Sequence, residues 1–157
     1  PDNTIHQALE LFQGRSRLPW LHIADAVAAE AGRLGCRRVA LLGTKFLMEG
    51  PVYPSRFAAM GIEHRIPAPE ERQRINRFIF EELVEGRITR RARAYFVGVI
   101  ERLKKEGCDA VGMCCTEIPL LLKAGRDTDL PLLDSTRLLA RAALNEAVGS
   151  GGGLATY

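Results

Sequence analysis

Two apolar runs without polar alternation constrain this chain more than anything else in it: Arg38-Val39-Ala40-Leu41-Leu42-Gly43-Thr44 and Ala110-Val111-Gly112-Met113. A strand with one wet face alternates apolar and polar residues. A run that does not alternate is covered on both faces, as in a parallel sheet with helices above and below. Further strands are expected at Pro19-Trp20-Leu21-His22-Ile23, Ile62-Glu63-His64-Arg65-Ile66-Pro67 and Leu130-Pro131-Leu132-Leu133. Between them lie stretches with helical spacing. Ile5, Ala8, Leu9 and Phe12 mark a helix capped by Asn3 or Thr4 and ending near Gly14; Ala26 to Leu34 closes at Gly35, and Val52 to Met60 at Gly61. Glu70 to Glu85 carries Ile75, Phe78, Ile79 and Leu83 and stops at Gly86. Thr89 to Glu106 carries Ala92, Tyr95, Phe96, Val99, Ile100 and Leu103 and stops at Gly107. Ile118 to Ala124 stops at Gly125, and a last helix capped at Asp134-Ser135-Thr136 runs to Val148. The glycine-rich tail from Gly149 to Tyr157 has the composition of a flexible segment. Alternating strands and helices predict an α/β fold with a parallel sheet and right-handed crossovers.

The predicted strand ends and helix starts carry small polar groups: Asp2-Asn3-Thr4, Ala24-Asp25, Gly43-Thr44, Cys115-Thr116-Glu117 and Asp134-Ser135-Thr136. Open α/β sheets bind ligands at the carboxyl ends of their strands, where helix N-termini favour anions, so a small carboxylate suits the site. As simple helix caps, the hydroxyls need no ligand. Cys115 and Glu117 are not explained that way. Neighbouring strand residues face opposite ways, so Cys114 and Cys115 do not share a pocket. If Thr116-Glu117 opens a helix, free backbone N–H groups and the helix dipole favour a thiolate at Cys115, a base or nucleophile. Two ordinary buried cysteines remain the alternative.

Composition narrows the function further. The formal net charge is only +3 over 157 residues. Arginines are interleaved with acids, as in Glu70-Glu71-Arg72-Gln73-Arg74, which suits solvated helix faces and argues against a nucleic-acid partner. Cys36, Cys108, Cys114 and Cys115 form no CxxC, and His6, His22 and His64 no HExxH, so no metal site is expected. Without a signal peptide or an apolar run of spanning length, the expectation is a cytoplasmic chain with reduced thiols and no membrane contact. The sequence starts at Pro1 without a methionine, so residues have been removed or the chain is part of a longer one.

Taken together, these pieces resemble the aspartate/glutamate racemase family, amino-acid racemases that move the Cα proton between two cysteines. The resemblance runs from Pro1 to about Val148. Cys115-Thr116-Glu117-Ile118-Pro119-Leu120 is similar to the family's second catalytic motif, and its Glu117-Ile118 to the aspartate-racemase branch; glutamate racemases usually have His-Tyr there. Leu41-Leu42-Gly43-Thr44, Glu81-Glu82-Leu83 with Gly86-Arg87, and Asp134-Ser135-Thr136 also follow the family's order.

The resemblance implies two pseudo-symmetric α/β lobes with the pocket between them. Residues 25–129 would form one complete lobe, and 1–24 with 130–148 parts of the other, whose N-terminal strands are missing; 149–157 is the tail. A lobe without its first strands exposes a sheet edge and apolar surface. The implied activity is racemisation of aspartate or glutamate without pyridoxal phosphate, metal or nucleotide. Cys115 would be one acid/base. The first catalytic motif, usually Cys-Asn-Thr with a nearby His, stands here as Asp2-Asn3-Thr4-Ile5-His6, so Asp2 takes the place of the other cysteine. A carboxyl group matches a thiol in that role only if burial shifts its pKa strongly. Otherwise one face alone is served, as in the related one-cysteine arylmalonate decarboxylases; a truncated relative that binds a dicarboxylate without turnover is a third reading. Asn3, Thr4 and Thr116 are expected to hold the α-carboxylate, Thr44 and Arg87 the distal one, and Glu117 to lie among the substrate-binding residues. Leu47 replaces a frequent Thr, Cys114 a Gly and Leu139 a frequent His. Family members commonly form homodimers, which places Tyr53, Phe57 and Met60 at such a contact or in the core.

Overall fold

The computed structural model describes residues 2–17 and 20–149. A 3-10 turn, Thr4–Ala8, leads into α1 (Leu9–Phe12) and a second 3-10 turn, Gln13–Arg15. Then follow α2 (Ile23–Arg33), β1 (Arg38–Leu42), α3 (Lys45–Met48), α4 (Pro54–Ala59), β2 (Glu63–Arg65) and α5 (Pro69–Phe78). One turn of π-helix, Ile79–Leu83, continues α5. The chain ends with α6 (Arg90–Lys105), β3 (Ala110–Met113), α7 (Ile118–Leu121), β4 (Leu132–Asp134) and α8 (Ser135–Gly149).

All four strands are parallel, in the order β2-β1-β3-β4. The two runs that lack alternation are the central pair, with Val39 opposite Ala110 and Leu42 opposite Met113. Each feeds both faces of the sheet. Ala40, Leu42, Val111 and Met113 meet Ile75, Phe78, Phe96, Ile100 and Leu103 of α5 and α6. Val39, Leu41 and Ala110 meet Ile23, Val27, Ala31, Tyr53 and Phe57 on the other side. Burying these large side chains stabilises the fold by about 1.5–3 kcal/mol each. Gly107 closes α6 at φ +92°, a conformation that L side chains rarely adopt, and places Arg38 Nη1 only 2.7 Å from where a Cβ would stand.

Several elements differ from the sequence-based expectation. Trp20–His22 is not a strand, and Pro19 lies outside the described residues. Ile23, Ala24, Val27, Ala28 and Ala31 share one helical face that is wholly buried, and His22 Nδ1 caps it by accepting the Ala24 N–H at 3.2 Å. Asp25 therefore sits in the first turn of α2, paired with Arg56 at 3.2 Å, and marks no strand end. The expected helix from Glu70 to Glu85 changes to π geometry at Ile79, with Val84 N–H donating to Ile79 O at 2.9 Å. The helix after Cys115 is only four residues long. Ala124, expected to close it, bridges Thr128 instead, and Asp127 accepts the Lys123 N–H. The short α3 was hidden inside a glycine-bounded loop. Of the residues considered for a dimer contact, Tyr53 and Phe57 are fully buried core and Met60 is 53% exposed. β4, assigned on sequence to the partial lobe, hydrogen-bonds to β3 as the fourth strand of this sheet, and α8 is tied to α2 by Arg141 to Glu30 at 2.9 Å. The tail beyond Gly149 lies outside the described residues.

Candidate active site

Three of the expected polar strand ends do lie together: Gly43-Thr44 after β1, Cys114 to Glu117 after β3 and Ser135-Thr136 after β4. Parallel pairing forces this, because all strands finish at the same edge. The N-terminal segment closes over that edge. Asn3, 4% exposed, donates from Nδ2 to Ser135 Oγ at 3.0 Å and accepts the Tyr53 hydroxyl on Oδ1 at 2.6 Å. Ser135 in turn donates to the Met113 carbonyl at 2.9 Å, so the chain start is stitched to the ends of both β3 and β4. Asp2 Oδ1 accepts the Ile5 N–H at 3.0 Å, and its carbonyl lies 2.9 Å from Nδ1 of buried His6.

The result is a cleft of about 180 Å³ bordered by Asp2, Asn3, Thr4, Thr44, Ile79, Phe80, Val84, Cys114, Cys115, Thr116 and Glu117. It gathers every residue singled out on sequence except Arg87. That guanidinium is exposed, donates to the Glu81 carbonyl and does not border the cleft. Asn3 is there, but its side chain is already engaged by Tyr53 and Ser135. Thr44 caps α3, accepting the Leu47 N–H at 3.3 Å.

The two cysteines divide as strand geometry requires. Cys114 is 2% exposed and packs with the α2 side of the core, whereas Cys115 packs partly buried on the α6 side. Cys115 Sγ donates to Glu117 Oε2 at 2.9 Å. Burial and that hydrogen bond to a carboxylate push the Cys115 thiol up to about 12, and burial pushes Cys114 to about 12 as well. The dipole-stabilised thiolate considered on sequence is therefore disfavoured. α7 is too short to offset desolvation, and Glu117 supplies negative charge where a thiolate needs positive. Burial and the neighbouring carboxylate both favour the thiol form of Cys115.

Asp2 is exposed, so the burial that a two-sided mechanism asks of it is not found among the described residues. Ile79, Phe80 and Val84 were missed on sequence. Their signal was present: Phe80 and Val84 fall off the apolar stripe of their helix yet are themselves apolar, one turn apart. Tyr53 and the tie through Ser135 gave no such signal, because each is held by contacts distant in sequence.

The fold of this chain recurs in solved structures. A candidate Asp/Glu racemase from Yersinia pestis superposes with a TM-score of 0.87 at 36% identity, over 93% of this chain and 64% of that one. An aspartate racemase homologue from Pyrococcus horikoshii OT3 gives 0.84 at 34% identity, again over 93% and 64%. The aspartate racemase of Picrophilus torridus, at 24% identity and a TM-score of 0.69 over 92% of this chain and 59% of that one, shares the fold. The sequence profile of the Asp/Glu/hydantoin racemase family matches residues 3–143, and the chain belongs to that family. It spans a little under two thirds of the length of these structures. Among the described residues, no helix is long and apolar enough to cross a membrane.

Proposed function

We propose that this chain carries the proton-transfer half-site of a cofactor-independent racemase acting at Cα of a small amino acid, with Cys115 as the acid on one face. The observation that carries the reading is the Cys115 thiol, held protonated beside Glu117 at the mouth of a cleft of amino-acid size. Thr4, Thr44 and Thr116 border the same cleft and are the donors for the α-carboxylate, whose negative charge grows as the Cα proton leaves. In one direction a base on the far face takes the Cα proton and Cys115 returns its own to the near face, becoming a thiolate. In the reverse direction the thiolate removes the proton. Asp2 is the candidate for the far face, and the two-lobe plan supplies the rest of that wall. The acidic substrate implied by the resemblance needs a cation for its distal carboxylate, a part assigned on sequence to Arg87, which lies away from the cleft.

A second reading has its own support. The exposure of Asp2 favours one-sided chemistry, in which Cys115 alone serves one face of Cα, exchanging the proton there or protonating a carbanion left by decarboxylation. Proton NMR of L- and D-amino acids in D2O separates the two. Loss of the Cα signal with growth of the opposite enantiomer is the racemase result, and exchange with retention is the one-sided result. Cys115→Ser is expected to abolish exchange in either case. Exchange that survives Cys115→Ser refutes the assignment of the acid.

A further inference from the structure

Arg74, Arg77 and Phe78 lie within about one turn of each other on α5, and Arg91 stands in the first turn of α6. Side chains three and four apart on a helix are surface neighbours, so the α5 group is brought together by local geometry. Folding sets these residues around a hollow of about 210 Å³ bordered by Arg74, Arg77, Phe78, Glu81, Glu82 and Arg91. Two of the guanidiniums are held by aromatic rings. Arg74 Cζ lies 4.7 Å from the Tyr95 ring centroid and 5.9 Å from that of Phe78, and Arg91 Cζ lies 5.4 Å from Phe78. A guanidinium seated on a ring has its flat face satisfied and keeps its N–H edge for an oxyanion.

The charges are not balanced within the hollow. Arg91 pairs with buried Glu82, whereas among the described residues neither Arg74 nor Arg77 has a carboxylate at ion-pair distance. Three arginines against two glutamates leave the hollow net positive. The start of α6 shows the same bias: its first turn carries Arg90, Arg91 and Arg93 and no acidic residue. The helix dipole favours anions there and opposes cations, so the local rule is broken. Departures of this kind gather at functional positions, and an anion against Arg91 relieves this one.

The hollow also shares a wall with the cleft. Phe78, Glu81 and Glu82 border the hollow, while Ile79, Phe80 and Val84 border the cleft, so the π turn and its flanking residues present one face to each. Glu82 ties that turn in place by accepting from Thr89 Oγ1 at 2.6 Å and from Arg91. The arginine that meets a ligand in the hollow is thus the one that holds the turn.

We propose that the hollow is an effector site for a phosphate group, free or carried as the monoester of a small molecule, gripped by Arg74, Arg77 and Arg91 and transmitted to the cleft through the π turn. A planar carboxylate has two oxygens and is filled by one or two guanidiniums; a tetrahedral phosphate offers three or more and uses all three. Binding here is independent of the Cα chemistry proposed above, and only its effect on turnover rests on that reading.

The test uses the full chain at constant ionic strength, with inorganic phosphate, glycerol 3-phosphate and acetate as probes. Calorimetry reads binding, and the Val84 methyl resonances read the cleft wall. Both phosphate probes are expected to saturate with dissociation constants of about 1 mM or below, and acetate to bind at least about ten-fold more weakly. Arg74→Gln and Arg77→Gln are each expected to weaken phosphate about ten-fold. Glu81→Gln, which removes an opposing charge, is expected to tighten it about three-fold, a gain that misfolding does not produce. Tighter binding of the ester assigns a phosphorylated small molecule, and the reverse order assigns the free ion. No saturable phosphate binding, acetate bound as tightly, or an affinity unmoved by both arginine variants overturns the site. Phosphate bound without a shift of the Val84 methyls overturns the coupling. Binding and shift in a chain that exchanges no Cα proton uphold the site and count against the reaction alone.

Discussion

The tie between Tyr53, Asn3 and Ser135 holds the chain start onto the sheet edge, and its worth is open to direct measurement. Tyr53→Phe removes one oxygen and keeps the ring, which still packs edge-on against Phe57 with centroids 5.5 Å apart, so no cavity is opened. What is lost is the 2.6 Å hydrogen bond to Asn3 Oδ1, and that acceptor, on a residue only 4% exposed, is left unpaired. Removing one partner of a buried hydrogen bond costs the desolvation penalty of the group left behind, about 1–3 kcal/mol, so the expected loss is about 2 kcal/mol. Asn3→Ala removes the tyrosine hydroxyl's 2.6 Å acceptor and takes a donor from Ser135 Oγ, which keeps its own bond to the Met113 carbonyl. Its cost is expected to be similar. The double variant then loses less than the sum, by about 1–2 kcal/mol, because neither partner is left orphaned. Urea denaturation of the four proteins reads these values, and with a slope of about 2 kcal/mol per molar each single variant moves its midpoint by about 1 M. A Tyr53→Phe loss below about 0.5 kcal/mol, or strictly additive losses, refutes the claim that this network secures the N-terminal wall of the cleft.

Two further perturbations probe the same edge. At Gly43 an added Cβ stands 2.6 Å from Leu47 Cδ2 and 2.9 Å from the Cys114 carbonyl, which is backbone and cannot rotate away, so Gly43→Ala is expected to cost about 1–3 kcal/mol and to lower the melting temperature; an unchanged melt contradicts the close approach. The buried thiols make the fold sensitive to alkali: burial pushes Cys108 up to about 11 and Cys114 up to about 12 from the usual 9.0. Below pH 9 they are protonated in both states and cost nothing. Above it the unfolded chain sheds its thiol protons first, and stability falls by about 1.4 kcal/mol per pH unit for each until the folded thiols titrate too. Urea midpoints taken between pH 8 and 10.5 check this, and Cys108→Ala is expected to flatten the slope.

Much of the framework is written locally and was legible for that reason. Gly107 and Gly35 stop their helices through the φ they adopt, Thr89 caps α6 through its own hydroxyl, and Val39–Leu42 declares itself a covered strand by lacking polar residues. Each signal acts within a few residues. The misplaced strand before α2 shows the limit: Trp20–Ile23 has strand-like composition, but Ile23 belongs to a helical face whose partners lie on β1, α4 and α8. The π turn is similar. Nothing between Ile79 and Leu83 forbids a plain helix; the buried Glu82, satisfied from Thr89 and Arg91 beyond the turn, accompanies the change in register.

The sequence by itself determined the family, the parallel α/β plan and the residue types that meet at the strand ends, because a sheet of parallel strands brings those ends to one edge wherever they occur in the chain. Tertiary structure alone decided which of them share a cleft, that Arg87 lies outside it, and that Cys115 rests as a thiol against Glu117. Burial and charge at a point in space depend on groups far apart in the chain, and no local pattern carries that information.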